Sequence, residues 1–236
     1  MRKTTLHVAC QIVILLTCFS SLWAGEKPYR IGFQIGPFIP YDWKIQGGTY
    51  VYLDQDGSLS GGAVEGFGNG IDLVVYGEYR IGSWWLRMDG GGRLLIRGKL
   101  DVVRPASERH YENRLIIYPF TLSLIHRAAV ARSFFRPYFG VGGGVYFADW
   151  EEKYSYSSPT YYVRTWYKGS AAPLGLHVLA GTDCKVWKNL YLNFEYRYSY
   201  AEIDWELKDQ DTDERRKMDD IGIGGTSLKI GVGYHF

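Results

Sequence analysis

A chain of 236 residues carrying 27 Lys and Arg against 25 Asp and Glu is nearly neutral, which argues against a nucleic-acid partner, since such a partner selects a basic face. Aromatic residues make up 17%, including 20 Tyr and 8 Trp, and there are 29 Gly. Beyond the first two dozen residues no apolar run approaches the ~20 residues of a membrane-spanning helix. A membrane-spanning reading therefore requires a closed β-barrel, the other structure that satisfies its backbone hydrogen bonds within lipid.

Residues 1–24 read as a secretory signal: Arg2 and Lys3, an apolar stretch from Val8 to Phe19, then small residues to Ala24, after which cleavage is expected. A lipidation signal ending at Cys18 competes with this reading, but Thr17 before it and the apolar residues after it fit poorly. Loss of Arg2 and Lys3 brings the 27 basic residues to 25, equal to the 25 acidic ones. Residues 25–236 are expected to form one domain in which Cys184 is the remaining cysteine, so no internal disulfide or cysteine-based zinc site is possible there.

Period-two alternation then recurs along the chain, the mark of strands with two unlike faces. Eight segments show it. Ile31, Phe33 and Ile35 alternate with Gly32, Gln34 and Gly36; Ile71, Leu73, Val75, Tyr79 and Ile81 with Asp72, Tyr76, Glu78 and Arg80; Leu86, Met88, Leu94 and Ile96 with Arg87, Asp89, Arg93 and Arg97. Ile116, Tyr118, Phe120, Leu122 and Leu124 oppose Thr121 and Ser123, with Pro119 read as a local bulge because it lacks a ladder N–H. Phe139, Val141, Val145 and Phe147 follow, and then Leu174, Leu176 and Val178 against His177, Asp183 and Lys185. The clearest run is Leu190, Leu192, Phe194, Tyr196, Tyr198 and Tyr200 against Asn193, Glu195, Arg197 and Ser199. The last sets Leu228, Ile230, Val232, Tyr234 and Phe236 against Lys229, Gly231, Gly233 and His235.

An even number of strands suits an antiparallel up-and-down transmembrane barrel. Connections alternate between long (41–69, 101–113, 148–170, 204–221) and short (82–84, 187–189), with 127–134 intermediate; short turns in such barrels are periplasmic, which puts both termini on that side. Trp84, Trp85 and Trp187 near the short turns, and Trp43, Trp150, Trp166 and Trp205 near the long loops, suggest two aromatic girdles. A soluble barrel would have to place the ionised face in its core and the aromatic face in water, and lipid reverses both costs.

The segment YPFTLSLIHRAAVARSFFRPYFGVGGGVYF from Tyr118 to Phe147, with its R-P-Y-x-G-x-G-x-G string, resembles the paired strands of small outer-membrane barrel families: the membrane domain of outer membrane protein A, the OmpW-like proteins and the opacity-type porin-like proteins. The ending LKIGVGYHF is similar to their assembly signal, with Tyr234 and Phe236 in the signal positions. The resemblance implies the bacterial outer membrane, recognition by the barrel assembly machinery during biogenesis, and contact with outer-membrane lipids and lipopolysaccharide.

The ionised face assigns a lumen network to Glu78, Arg80, Arg87, Asp89, Arg93, Arg97, Glu195 and Arg197, with Arg30, Asp72, Asp183, Lys185 and Lys229 beside them. Eight strands leave an interior just wide enough for side chains, so a plug of ion pairs is expected, with a narrow path for small solutes, apolar ones as the OmpW-like resemblance implies, as the alternative. The glycines at 140, 142 and 144 enter a strand and not a helix, which removes the context of a phosphate loop. Ser123 and His126, the nearest nucleophile and base, are separated by an odd number and point to opposite faces, against a lipid-modifying hydrolase. No catalytic, metal or cofactor site is expected. The charged stretch from Asp204 to Asp220 reads as a solvated, salt-bridged loop, with lipopolysaccharide phosphates or divalent cations as alternative contacts. The Tyr-rich stretch 148–170 reads as a loop that binds a surface ligand or as a hairpin that extends the barrel above the membrane.

Overall fold

The computed structural model describes residues 29–41, 47–53, 59–65, 70–96, 100–104, 107–128, 134–158, 160–213 and 215–236. Strands follow one another without an intervening helix: β1 (Tyr29–Pro40), β2 (Gly47–Leu53), β3 (Leu59–Glu65), β4 (Gly70–Ile81), β5 (Trp84–Ile96), β6 (Leu100–Arg104), β7 (Ser107–Arg127), β8 (Phe135–Ser158), β9 (Tyr161–Ala171), β10 (Leu174–Lys185), β11 (Leu190–Asp209), β12 (Arg215–Gly222) and β13 (Gly225–His235). The signal segment lies outside the described residues.

Antiparallel pairing runs from β1 to β4, β5, β7, β8, β10, β11 and β13, and β13 pairs back onto β1. Among the described residues this is a closed ring of eight strands, the up-and-down barrel that the alternation predicts. Closure leaves no unpaired edge within the wall. At the seam Ile31 faces Tyr234 and Ile35 faces Ile230, and the Phe236 amide donates to the Tyr29 carbonyl at 2.8 Å.

Outward side chains form an apolar belt. On β11, Phe194, Tyr196, Tyr198 and Tyr200 are exposed while each intervening residue is buried. From Leu190 to Tyr200 the strand rises roughly 33 Å, which at the usual ~40° tilt gives about 25 Å of height, the thickness of an outer-membrane belt. β10 carries the most open members, with Leu174 at 79% and Leu176 at 68% exposure. In water such a surface would be unstable; in lipid it is the ordinary condition.

Three of the stretches expected to be long loops are largely strand. β6 continues β5 and pairs with β7, β9 continues β10 and pairs with β8 from Ala148↔Ala171 to Ser158↔Tyr161, and β12 continues β13 and pairs with β11. These hairpins prolong the barrel beyond the belt, while β2 and β3 form a separate two-stranded sheet. On β8 the outward row turns polar at Asp149 and Glu151, so the apolar alternation that marks a wall strand stops although the backbone pairing does not. At the opposite end the wall turns through Gly82–Ser83, where Gly82 sits at φ 64°, and through 186–189.

Two expectations about the wall are corrected. Pro119 creates no bulge: its pairing with Tyr146 is in continuous register with the rest of β7 and β8. The ladder toward β5 lapses opposite Gly91 and Gly92 with register unchanged, from Gly90↔Phe120 to Arg93↔Ile117. Of the tryptophans assigned to girdles, Trp85, Trp150 and Trp205 point inward and are buried, whereas Trp84 and Trp187 are exposed. Height along the strand placed all of them near an interface, but parity decides the face: Trp84 and Trp85 are neighbours and must point opposite ways. Trp43 lies outside the described residues.

Candidate functional site

The interior is filled in layers. At the short-turn end Arg30 grips Asp183 bidentately at 2.5 and 2.8 Å, and Arg127 holds both oxygens of Glu78 at 2.8 Å and Asp183 at 3.0 Å. The Arg127 guanidinium also lies over the Trp85 ring, 4.7 Å from its centroid. Planar guanidinium forks suit this work, because two parallel N–H bonds fix each carboxylate.

The middle layer is centred on Arg87. Its three nitrogens reach Asp89 and Glu195 at 2.5 Å each and the Gln34 carbonyl at 2.7 Å, while its plane covers the Tyr76 ring at 4.0 Å. Arg197 binds Asp89 at 2.8 Å and Glu195 at 3.1 Å, and Lys229 approaches Glu195 at 3.2 Å. Tyr138 donates to Glu195, and Gln34 bonds to Asn193. Above it Arg93 pairs with Asp72 at 3.4 Å, donates to Ser199 at 3.1 Å and lies over Phe38 at 4.5 Å.

Toward the hairpins the interior becomes apolar. Phe38, Leu95, Leu115, Ile117, Trp150, Ile203, Trp205, Leu207, Ile221 and Ile223 form one buried cluster, with Trp150 and Trp205 edge to face at 5.7 Å. The ionised face of the sequence thus extends only partway up the barrel. An apolar layer inside the upper barrel breaks the polar-in pattern, because beyond the belt the hairpins must pack on one another as a soluble protein does.

Of the residues assigned to the lumen network, Glu78, Arg87, Asp89, Arg93, Glu195 and Arg197 are inside and buried, as are Arg30, Asp72, Asp183 and Lys229. Arg80 is not among them: it is exposed at the short-turn rim, where its Nε donates to the Gly82 carbonyl at 3.0 Å. Lys185 is exposed at the same rim, and Arg97 lies outside the described residues. Both exposed residues share the parity of the lumen but lie past the last inward layer, where the side chain escapes to water. Arg127, missed as part of a connection, has the parity of Thr121 and Ser123 and was open to detection by continuing the alternation four residues beyond Ser123.

Ser123 and His126 part company as their spacing requires. His126 packs outward against Trp84 and Phe139 with ring centroids 4.9 and 5.4 Å away. Ser123 instead meets His177 at 2.8 Å on the lumen side of the wall, over Gly142 of the intervening β8. Both are at most 3% exposed, so this contact sits inside the packed plug and not in an accessible cleft. Gly142 makes room for it, since a Cβ there would stand 2.7 Å from the His177 ring. At the terminus, Tyr234 and Phe236 are about half exposed on the outer face, with rings 4.9 Å apart.

A closed wall with an aromatic, apolar exterior and an ionised, filled interior defines an integral membrane β-barrel. The chain belongs to the outer-membrane β-barrel family: residues 13–236 match the outer membrane protein beta-barrel domain. This is a family of bacterial outer-membrane proteins. Among solved structures it is similar in fold to the outer membrane protein OprG of Pseudomonas aeruginosa, at 16% identity, 89% of this chain, 96% of that chain and a TM-score of 0.54. Neisserial surface protein A gives 17% identity over 89% of this chain and 97% of that one with a TM-score of 0.48, and outer membrane protein W of Escherichia coli 13% over 90% and 100% with 0.36. No curated protein sequence matches the chain.

Proposed function

We propose that this is a non-enzymatic, exported outer-membrane barrel with an envelope-structural or surface-interaction role, closed to solutes, with its hairpins outside the cell and both termini in the periplasm. The observation that carries the reading is the filled interior: Arg87, Asp89, Glu195, Arg197 and Lys229 interlock across the axis, and the Trp150–Trp205 cluster closes the hairpin end. Eight strands leave little more than side-chain space, and here that space is occupied. The outward Tyr234 and Phe236 at the seam strand suit recognition by an assembly machinery that must capture the chain before closure.

The test is conductance of the refolded protein across a planar lipid bilayer, paired with protease treatment of intact cells. The expected result is no channel steps, and cleavage within residues 154–165 from outside the cell. Discrete conductance in the folded wild-type protein would instead establish a solute path, and protection of the hairpins on intact cells would reverse the orientation.

A further inference from the structure

The two ends of the barrel carry different charge. The connections at the short-turn end, 82–84, 127–134 and 186–189, contain no Asp or Glu, whereas the exposed carboxylates of Asp149, Glu202, Glu206 and Asp213 lie toward the hairpins. At the short-turn rim Arg80, Arg136, Lys185 and Lys188 are exposed. Among the described residues none of the four has a carboxylate partner: Arg80 donates to the Gly82 carbonyl, and Arg136 lies over the Tyr191 ring, 5.6 Å from its centroid. The carboxylate that ends the chain at Phe236 is one charge against four.

The layer beneath does not neutralise them. There Arg30 and Arg127 are matched one for one by Asp183 and Glu78. The Arg127 side chain is only 10% exposed, and its Nε and Nη2 hold the two carboxylates, yet its Nη1 has no hydrogen-bond partner among the described residues. A buried charged donor left unpaired is costly, and an anion at the mouth would remove that cost. Parity sets the direction of approach: Arg80, Arg136 and Lys185 continue the inward rows of Glu78, Tyr138 and Asp183, while the outward rows at this height carry Ile81, Trp84 and Phe135. The cations therefore crown the lumen and not the lipid-facing wall, so their ligand arrives from water along the barrel axis.

Spacing selects the kind of anion. Arg136 pairs with Asp183 across β8 and β10, so Lys185 stands two residues, roughly 7 Å, beyond it. Arg80 is three strands around the ring from Arg136, roughly 14 Å at the usual separation of strands. A single phosphate cannot bridge these intervals, whereas an extended peptide presents alternate side chains roughly 7 Å apart on one face. We propose that the short-turn mouth binds an extended acidic peptide: the Arg127 Nη1 and Arg136 take one carboxylate, Lys185 takes the next, and Lys188 and Arg80 flank the chain. The plug holds the peptide at the mouth. The proposal rests on the reading of the short turns as periplasmic only for the compartment in which the peptide is met, and binding measured in detergent is independent of which way the barrel faces.

Folded protein in an uncharged detergent at low salt is titrated against a fluorescent peptide of alternating Glu and Ser, and binding is followed by anisotropy; the counterpart with Gln for Glu and inorganic phosphate as competitor complete the set. The Glu peptide is expected to bind and the Gln peptide not, with binding lost at high salt because the site is open to water. An exposed ion pair is worth up to about fivefold in affinity, so Arg136→Gln with Lys185→Gln is expected to weaken binding about 25-fold. Lys188→Gln alone is expected to weaken it up to about fivefold, and serves if the double variant does not fold. Lys168→Gln, at the hairpin end, is expected to change nothing. No binding by the wild type, equal binding by the rim variants, equal binding of the Gln peptide, or displacement by phosphate as readily as by unlabelled Glu peptide would each overturn the proposal.

Discussion

Arg87 shows what a single side chain carries in this interior. It is fully buried, and its removal strands Asp89 and Glu195 without their closest cation. Breaking a buried pair from one side costs about 3–5 kcal/mol, so Arg87→Ala should lower the unfolding free energy extracted from urea titration in detergent by that amount while bilayer conductance stays silent. A stable variant with open-channel steps would mean that the residue gates a path. Trp205→Ala should cost a similar ~3–5 kcal/mol, by emptying the apolar layer. Outside the membrane, Glu151 behaves as a pH-sensitive pin. Burial pushes its carboxyl up, but the Trp166 N–H, Arg114 and Lys153 outweigh burial and hold it below its ordinary value of 4.5. A depressed carboxyl stabilises above the unfolded value and loses that contribution as pH falls through the folded one. Hydrogen-exchange protection factors in the β8–β9 hairpin, taken relative to the intrinsic rate at each pH, should therefore fall below about pH 4.5, with the wall unaffected, and Glu151→Gln should abolish the dependence.

At the level of strands, β11 separates a membrane wall from a soluble one. Phe194→Arg places a cation on the outward row inside the belt, which should cost about 2–4 kcal/mol of folding into lipid, measured by urea titration in vesicles; a soluble sheet would tolerate it. The same strand shows what the sequence makes legible. Its aromatic and ionised faces alternate without a break, because burial follows period two when one face meets lipid and the other meets partners. Legibility fails where the environment changes along one strand. β8 runs for 24 residues, but after Phe147 its outward face meets water, and so Asp149 to Ser158 reads as loop. Trp150 and Trp205 read as interface anchors because height was judged without parity. The ion-pair membership of Arg87, Glu195 and Arg197 followed from parity alone, whereas the meeting of Ser123 with His177 needed the register of three strands. The collar around Glu151 needed it as well, since its members come from β7, β8 and β9.

For the molecule as a whole, wall and hairpins are separable in principle. Replacing residues 154–165 by a short turn should leave heat-modifiable electrophoretic mobility intact, because the eight-strand ring pairs below that point. Loss of the folded band would show that the hairpin is needed to close the wall. The seam between β1 and β13 also fixes an order of events in time. Strands that are neighbours in the ring are neighbours in sequence everywhere except there, where Arg30 pairs with His235. Until Gly225–His235 has emerged from the ribosome, β1 and β11 each keep an open edge that nothing earlier in the chain can cover. A partial chain lacks the closed wall that satisfies backbone hydrogen bonds in lipid, so closure can be completed only after the last strand has been made.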